Sequence, residues 1–165
     1  METTQLINIP TIFEITSVSD NIDEAAITGF LANAQLRYIE TAVGTAMYQD
    51  MIAEVISGGT TYNDFNEAYL YPALAYLTVS DYLPFAHYKI QKKGITKSGS
   101  DNSTPVEIDE LSIILKRTEA TANFYLNRMI AYLDDNKDSY PLYRGNTCDT
   151  DYKKKNSSSI YLPKR

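Results

Sequence analysis

The chain contains one histidine and one cysteine, the side chains that most often bind metals or act as nucleophiles. His87 has no second histidine and no nearby cysteine to complete a zinc site, which needs several such ligands. Cys148 has no disulfide partner and no fixed positive group beside it to stabilise a thiolate. We therefore expect no metal site at His87 and no nucleophile at Cys148. A lone cysteine fits a protein made in a reducing cytoplasm.

The stretch Asp134-Asp135-Asn136-Lys137-Asp138 fits the first half of a calcium-binding loop. The sixth position of that loop would be Ser139 where glycine is needed, and the twelfth would be Gly145 where a bidentate glutamate is needed. The match therefore fails at the positions that shape and close the site. We interpret these acidic residues as the end of a helix followed by a turn.

No other catalytic motif occurs in the sequence. It has no phosphate-binding G-x-x-x-x-G-K-[ST] loop, no dinucleotide-binding G-x-G-x-x-G and no G-x-S-x-G nucleophile elbow. Paired carboxylates such as Asp23 and Glu24 lie where a first helical turn is expected, and there they compensate the helix dipole. We expect no enzymatic activity and no cofactor. The alternative is a helical enzyme or ligand-binding protein with a pocket near His87 and the tyrosines.

Length and composition indicate one globular domain. A chain of 165 residues is long enough for a single core. The most apolar stretch, Leu70 to Phe85, is interrupted by two prolines and an aspartate, and a membrane helix needs about 20 apolar residues. We therefore expect no membrane contact, and the N-terminus does not have the pattern of a secretory signal. Fourteen tyrosines and no tryptophan supply many side chains suited to surfaces that are buried in an assembly.

Acidic and basic residues are segregated along the chain. Residues 1–88 contain eleven acidic residues and one basic residue, Arg37, whereas the whole chain has a net charge of −6. Lys89 to Lys97 and Tyr152 to Arg165 hold four and five basic residues and no acidic residue. Nucleic-acid readers are usually basic overall, so the pattern favours contacts between the basic segments and acidic surfaces of neighbouring subunits. The alternative is a solvated face with a disordered tail.

The expected fold is mainly α: a helical bundle with one long C-terminal helix, a small β-hairpin and extended N- and C-terminal arms. We expect an N-terminal arm at 1–18, a helical domain at 19–140 with a hairpin or loop at 89–100, and an extended tail at 141–165. A first helix is predicted between Ser19-Asp20-Asn21 and Gly44, and a second one ends at Gly58-Gly59. Because proline lacks a helix donor, a break is expected near Tyr71 and a kink or stop near Pro84.

The strongest local signal is Thr104-Pro105-Val106-Glu107, which combines a capping box with proline in the first helical position. The helix that it opens is predicted to reach about Asn136. Its apolar positions recur in steps of three and four, at Ile108, Leu111, Leu115, Thr118, Ala122, Tyr125, Met129 and Tyr132.

Three stretches carry a resemblance to a known family. They are NIDEAAITGFLANAQLRYIETAVGTAMY, then YPALAYLTVSDYLPF followed by KIQKKGI, and FYLNRMIAYLDDN before SYPLY. Together they extend roughly from Ile12 to Tyr143. In this order of helix, loop and hairpin the chain resembles the head–tail connector adaptor (head-completion) proteins of tailed bacteriophages, especially the ring proteins of crAss-like phages.

The resemblance implies a structural virion protein: a subunit of a ring, usually a dodecamer, that binds beneath the portal and continues the DNA channel toward the tail. The implied partners are copies of this chain, the phage portal protein and further connector or tail proteins, while DNA passes through without specific binding. The protein would be made in the host bacterial cytoplasm and end in the virion. A tail-completion or stopper protein is the alternative. By analogy, subunit and portal contacts are expected at Lys89, Lys92, Lys93, Lys97, Tyr152, Lys153, Lys154, Lys155, Ile160, Tyr161 and Leu162.

Overall fold

The computed structural model describes residues 4–16, 18, 24–86, 88–91, 94–97 and 108–144. Within these ranges the chain is mainly helical, which confirms the prediction of a mainly α fold. Its elements are α1 (Ile9–Ile15), α2 (Glu24–Ala34), α3 (Thr41–Val43), α4 (Thr45–Ser57), α5 (Asn63–Phe65), α6 (Tyr71–Ala86), β1 (Tyr88–Gln91), β2 (Gly94–Lys97) and α7 (Ile108–Asp135). Two π-helical turns, Gln35–Glu40 and Asn66–Leu70, join α2 to α3 and α5 to α6, and a 3₁₀ turn, Lys137–Ser139, follows α7.

Helix α1 corrects the expectation of an extended N-terminal arm. Asn8 caps it, because its side-chain Oδ1 accepts a hydrogen bond from the backbone N–H of Thr11 at 2.8 Å. Pro10 stands in the first turn, where its missing N–H costs no helical hydrogen bond. Ile9 and Ile12 are buried, so the segment folds as a helix because it can bury one face against the domain.

Helix α2 contributes one face of the core. Ile27, Leu31 and Ala34 are buried, and their spacing of four and three residues puts them on one face of the helix. The helical path continues through the π turn to Val43 and ends at Gly44, whose φ of +85° suits glycine. The predicted start of this helix at Ser19-Asp20-Asn21 lies outside the described residues.

Helix α4 packs through Met47 and Met51, which are buried. Gly58 ends it in the left-handed region, with φ +73° and ψ +26°. The Glu54 carboxylate then accepts hydrogen bonds from the backbone N–H of Thr61, at 2.8 Å, and from the Thr61 hydroxyl. This turn fixes the path of the chain into α5.

Helix α6 is the central helix of the molecule, and it packs against α1, α2 and α7. The expected break near Tyr71 is wrong, since the chain remains helical from α5 through the π turn into α6. The hydrogen bonds of a π turn skip one more residue than those of an α-helix, which lets the helix pass Pro72. Pro84 also lies inside α6, which ends two residues later at Ala86.

Helix α7 has 28 residues and is therefore about 42 Å long. Its most deeply buried residues are Ala122, Met129 and Leu133, so the C-terminal half makes the core contacts. The predicted cap at Thr104 lies outside the described residues. After α7 the chain turns back, and Tyr143 is buried against the domain.

Strands β1 and β2 pair antiparallel, with Tyr88 opposite Lys97 and Ile90 opposite Ile95. The connecting residues 92–93 and most of the tail, from 145 onward, lie outside the described residues. In the described part of the chain, no helix is both long enough and apolar enough to cross a membrane.

Candidate functional site

The described residues do not assemble a metal centre. Among them, no three side chains of His, Cys, Asp or Glu lie together in a way that could hold a metal ion. His87 and Cys148, the first candidates from the sequence, lie outside the described residues.

The acidic stretch at the end of α7 has a structural role. The Asp134 carboxylate lies 3.1 Å from the Lys137 ammonium and accepts a hydrogen bond of 3.1 Å from the Tyr143 hydroxyl. It therefore holds the returning chain against the helix. This arrangement agrees with the interpretation of the stretch as a helix end followed by a turn.

The basic residues predicted to contact other subunits are only partly located. Lys89 lies in β1 opposite Thr96, and Lys97 lies in β2 opposite Tyr88, so the strand pairing brings both lysines into one ladder. Lys92, Lys93 and the tail candidates lie outside the described residues. The latter are Tyr152, Lys153, Lys154, Lys155, Ile160, Tyr161 and Leu162.

The structure contains an open pocket that the sequence did not predict, with a volume of about 400 Å³. We call it the acidic aromatic pocket. It lies between α4, the turn before α5 and the chain after α7. Its lining residues are Asp50, Thr61, Tyr62, Ser139, Tyr140, Pro141 and Leu142.

One wall of the acidic aromatic pocket is organised by carboxylates. The Tyr62 hydroxyl donates a hydrogen bond of 2.7 Å to Oδ2 of Asp50. Tyr62 is 7% exposed, whereas Asp50 is exposed to solvent. Burial, the hydrogen bond to Asp50 and the charges of Asp50 and Glu54 all raise the pKa of Tyr62 above its ordinary value of 10.0. The potential at this wall is therefore negative.

A second aromatic side chain, Tyr140, lines the pocket beside Tyr62. The ring of Tyr140 stacks on that of Tyr62, with 6.2 Å between centroids and 18° between planes. It also packs against Phe65 at 5.5 Å. Burial, the hydrogen bond with Tyr132 and the nearby Asp64 charge raise the pKa of Tyr140. Both hydroxyls thus stay protonated at neutral pH and can donate or accept hydrogen bonds.

The side chains that line the pocket are suited to binding a cationic group. A carboxylate beside two aromatic rings can hold an ammonium or guanidinium group through charge and cation–π attraction. The lining residues include no histidine, cysteine or lysine. Sequence reasoning missed this pocket because Asp50 and Tyr140 are 90 positions apart, and the only signal was the large number of tyrosines.

A second depression lies between α6 and the N-terminal half of α7. It has a volume of about 250 Å³ and an apolar lining. Ile114 on its rim is 45% exposed. The lining residues are Thr16, Val18, Tyr76, Val79, Leu83, Ile114 and Thr118.

Large apolar side chains are also exposed on separate helices. Ile56 on α4 is 71% exposed, and Phe124 and Ile113 on α7 are 61% and 57% exposed. Ile113 and Phe124 are eleven residues apart, close to three turns, so they share one face of α7. Contiguous apolar patches on the outside of a domain mark protein contact surfaces, whereas apolar side chains exposed singly are common on soluble proteins.

Comparison with known proteins gives one match. No curated protein and no solved structure matches the chain. Residues 23–153, from the start of the α2 region to beyond the end of the described chain, match a family of unknown function, DUF6712. Because the match covers most of the sequence, the chain belongs to the DUF6712 family of unknown function.

Proposed function

We propose that this protein is a structural subunit of a virion, a ring adaptor that joins the head of a tailed phage to its tail below the portal. The ring is a homo-oligomer, a dodecamer by the resemblance of the sequence to connector adaptors. The subunit is made in the bacterial host and functions in the virion as a part of the DNA conduit.

The observation that carries this proposal is the exposure of large apolar side chains on two different helices. A closed ring uses a heterologous interface, in which one patch of each subunit meets a different patch of the next. Ile56 on α4 and the Ile113–Phe124 face of α7 supply two such patches.

The elements around these patches suit a ring subunit. Helix α7 is a strut of about 42 Å whose C-terminal half is anchored in the core through Met129 and Leu133. Ile113 in its N-terminal half and Phe124 just past its midpoint are exposed on the outside of the helix. The antiparallel pair β1 and β2 includes two lysines beyond the end of α6, where a basic contact to the portal or a neighbour is proposed.

The charge of the molecule suits a DNA conduit. Residues 1–88, which form most of the domain, carry eleven acidic residues and one basic residue. An acidic surface repels phosphates, so DNA passes it without binding. The basic segments are then available for acidic surfaces of protein partners.

The test is co-expression of the chain with the portal protein from the same genome, followed by purification and electron microscopy. We expect an additional ring of density at the narrow end of the portal. Phe124→Asp is expected to reduce the amount of chain that co-purifies with the portal by about tenfold, because a charge in the centre of an interface removes an apolar contact.

The matched control is Asn123→Asp, which adds the same charge at the neighbouring exposed position of α7. It is expected to leave co-purification unchanged. Absence of a ring with both proteins folded at low salt contradicts the proposal. A ring found only on particles that already carry another connector layer identifies a stopper or tail-completion protein instead.

A further inference from the structure

We infer that the acidic aromatic pocket binds the lysine run Lys153–Lys155 of this chain's own C-terminal segment. The pocket supplies the carboxylate of Asp50 and the rings of Tyr62 and Tyr140, and the segment supplies the ammonium groups. In the free subunit the basic segment is therefore held on the subunit's own acidic surface.

The chemistry of the pocket selects a cation. Asp50 lines it, the Glu54 carboxylate fixes its Thr61 wall, and the Asp64 charge acts on Tyr140. The half-buried Tyr140 lines the pocket together with Asp50, and its ring stacks on that of Tyr62 at 6.2 Å, so the carboxylate and an aromatic side chain are available to one ammonium group. Pro141 and Leu142 add an apolar surface on which the methylene stem of a lysine can lie.

The path of the chain places the lysine run within reach. The described chain ends at Arg144, two residues after Leu142 of the pocket wall. Lys153 follows nine residues later, so an extended connection spans at most about 30 Å. The residues from 145 to 152 include both glycine and polar residues, and they are sufficient for a return to the pocket.

The covalent connection between the pocket and the lysine run favours binding within one chain over binding between two copies. A short flexible connection raises the effective concentration of a linked group to about the millimolar range, far above the concentration of a second copy in dilute solution. A weak site for an exposed ammonium group is then occupied from within the same chain. Charge segregation strengthens the contact, because residues 1–88 have a net charge of −10.

Zero-length carbodiimide crosslinking of the full-length subunit tests this inference. The reagent joins a carboxylate to a lysine amine only when the two groups are in contact. Mass spectrometry is expected to find links from Asp50 or Glu54 to the lysine run Lys153–Lys155. These links should exceed those from the exposed Glu119 on α7 about tenfold, since a merely tethered segment samples all carboxylates.

Two comparisons make the result decisive. Thr61→Arg places a cation in the pocket without adding a lysine amine for the reagent, so it is expected to reduce the links several-fold, as high salt should. The same reaction on a mixture of unlabelled and nitrogen-15-labelled protein is expected to give links within one copy only. Equal yields at Glu119 and Asp50, no effect of Thr61→Arg, or links mainly between copies each overturn the inference. The experiment uses the subunit alone, so a failure of portal binding does not affect it.

Discussion

The guanidinium of Arg128 on α7 donates a hydrogen bond of 3.4 Å to the backbone carbonyl of Ala68 in the π turn before α6. Ala68 is four residues before Pro72, so its carbonyl is the one that an ordinary residue at position 72 would bond in an α-helix. The same guanidinium lies 4.8 Å from the ring centroid of Tyr69. Helix α7 therefore stabilises the helical turn that allows α6 to continue past its proline.

Replacement of Arg128 by methionine tests this relationship. Arg128→Met keeps an apolar stem on the Tyr69 ring and removes the hydrogen bond to Ala68 together with the cation–π contact. The free energy of unfolding is expected to fall by about 1 kcal/mol, the sum of two partly exposed interactions. Urea denaturation followed by circular dichroism measures the change.

Arg117→Met is the matched control, because Arg117 is an exposed arginine on the same helix. It is expected to change stability by less than about 0.5 kcal/mol, as surface substitutions usually do. Equal effects of the two substitutions would show that the contact with Ala68 contributes nothing.

The buried amide of Gln35 gives a second prediction. Gln35 is fully buried in the first π turn, where its Oε1 accepts a hydrogen bond of 2.7 Å from the backbone N–H of Leu6. Its Nε2 donates to the carbonyl of Thr4 at 3.1 Å. Gln35→Leu leaves the buried Leu6 N–H without this partner, so the free energy of unfolding is expected to fall by about 2 kcal/mol. Hydrogen exchange of the Leu6 amide should accelerate as well.

Gln49→Leu on α4 serves as the comparison for Gln35→Leu, since Gln49 is exposed. We expect its unfolding free energy to stay within about 0.5 kcal/mol of the unchanged chain. If Leu6 exchanges at the same rate in both variants, the Gln35 amide does not hold the N-terminal segment.

Local signals in the sequence correctly predicted where two helices end. Gly44 and Gly58 both adopt positive φ at the ends of helices, as their positions after apolar-periodic segments indicate. The helical stripe of α7 is confirmed at Ala122 and Met129, which are buried. Such features depend on residues that are close together in the chain, so they can be read from the sequence.

Features that depend on distant residues were not predicted. Helix α1 forms because Ile9 and Ile12 find a surface to pack against, and that surface is made by later helices. The acidic aromatic pocket joins Asp50 to Tyr140, which no periodicity connects. The π turn before Pro72 depends in part on Arg128, far along the chain, so the proline alone wrongly indicated a break.

The hydrogen bond between Tyr143 and Asp134 predicts a loss of stability in alkali. Burial, and then the hydrogen bond to Asp134, raise the pKa of Tyr143 from 10.0 to about 12. Between those pH values the unfolded chain has lost the proton and the folded chain still holds it. The folded state is thus fully stabilised below pH 10, and stability falls as the pH rises, by about 1.4 kcal/mol per pH unit for this tyrosine.

Tyr143→Phe removes that proton. At pH 8 the variant is expected to be less stable by about 1 kcal/mol, because the hydrogen bond to Asp134 is lost. Above pH 10 its stability should fall less steeply than that of the unchanged chain, so the two curves converge. Urea midpoints measured from pH 8 to the alkaline limit check this, and parallel curves would contradict it.

The uneven burial of α7 predicts that its two halves respond differently to the loss of an apolar side chain. Met129 is fully buried, whereas Ile113 on the same helix is 57% exposed. Met129→Ala leaves a cavity in the core and is expected to lower the free energy of unfolding by about 2 to 5 kcal/mol. Ile113→Ala should cost less than about 1 kcal/mol in the isolated subunit, since most of that side chain is already in water. Urea denaturation of the two variants measures the difference.

Because α7 is proposed to carry its exposed face to a neighbouring subunit, Ile113→Ala should weaken assembly despite its small effect on folding. A large loss of stability from Ile113→Ala alone would show that the N-terminal half of α7 belongs to the core.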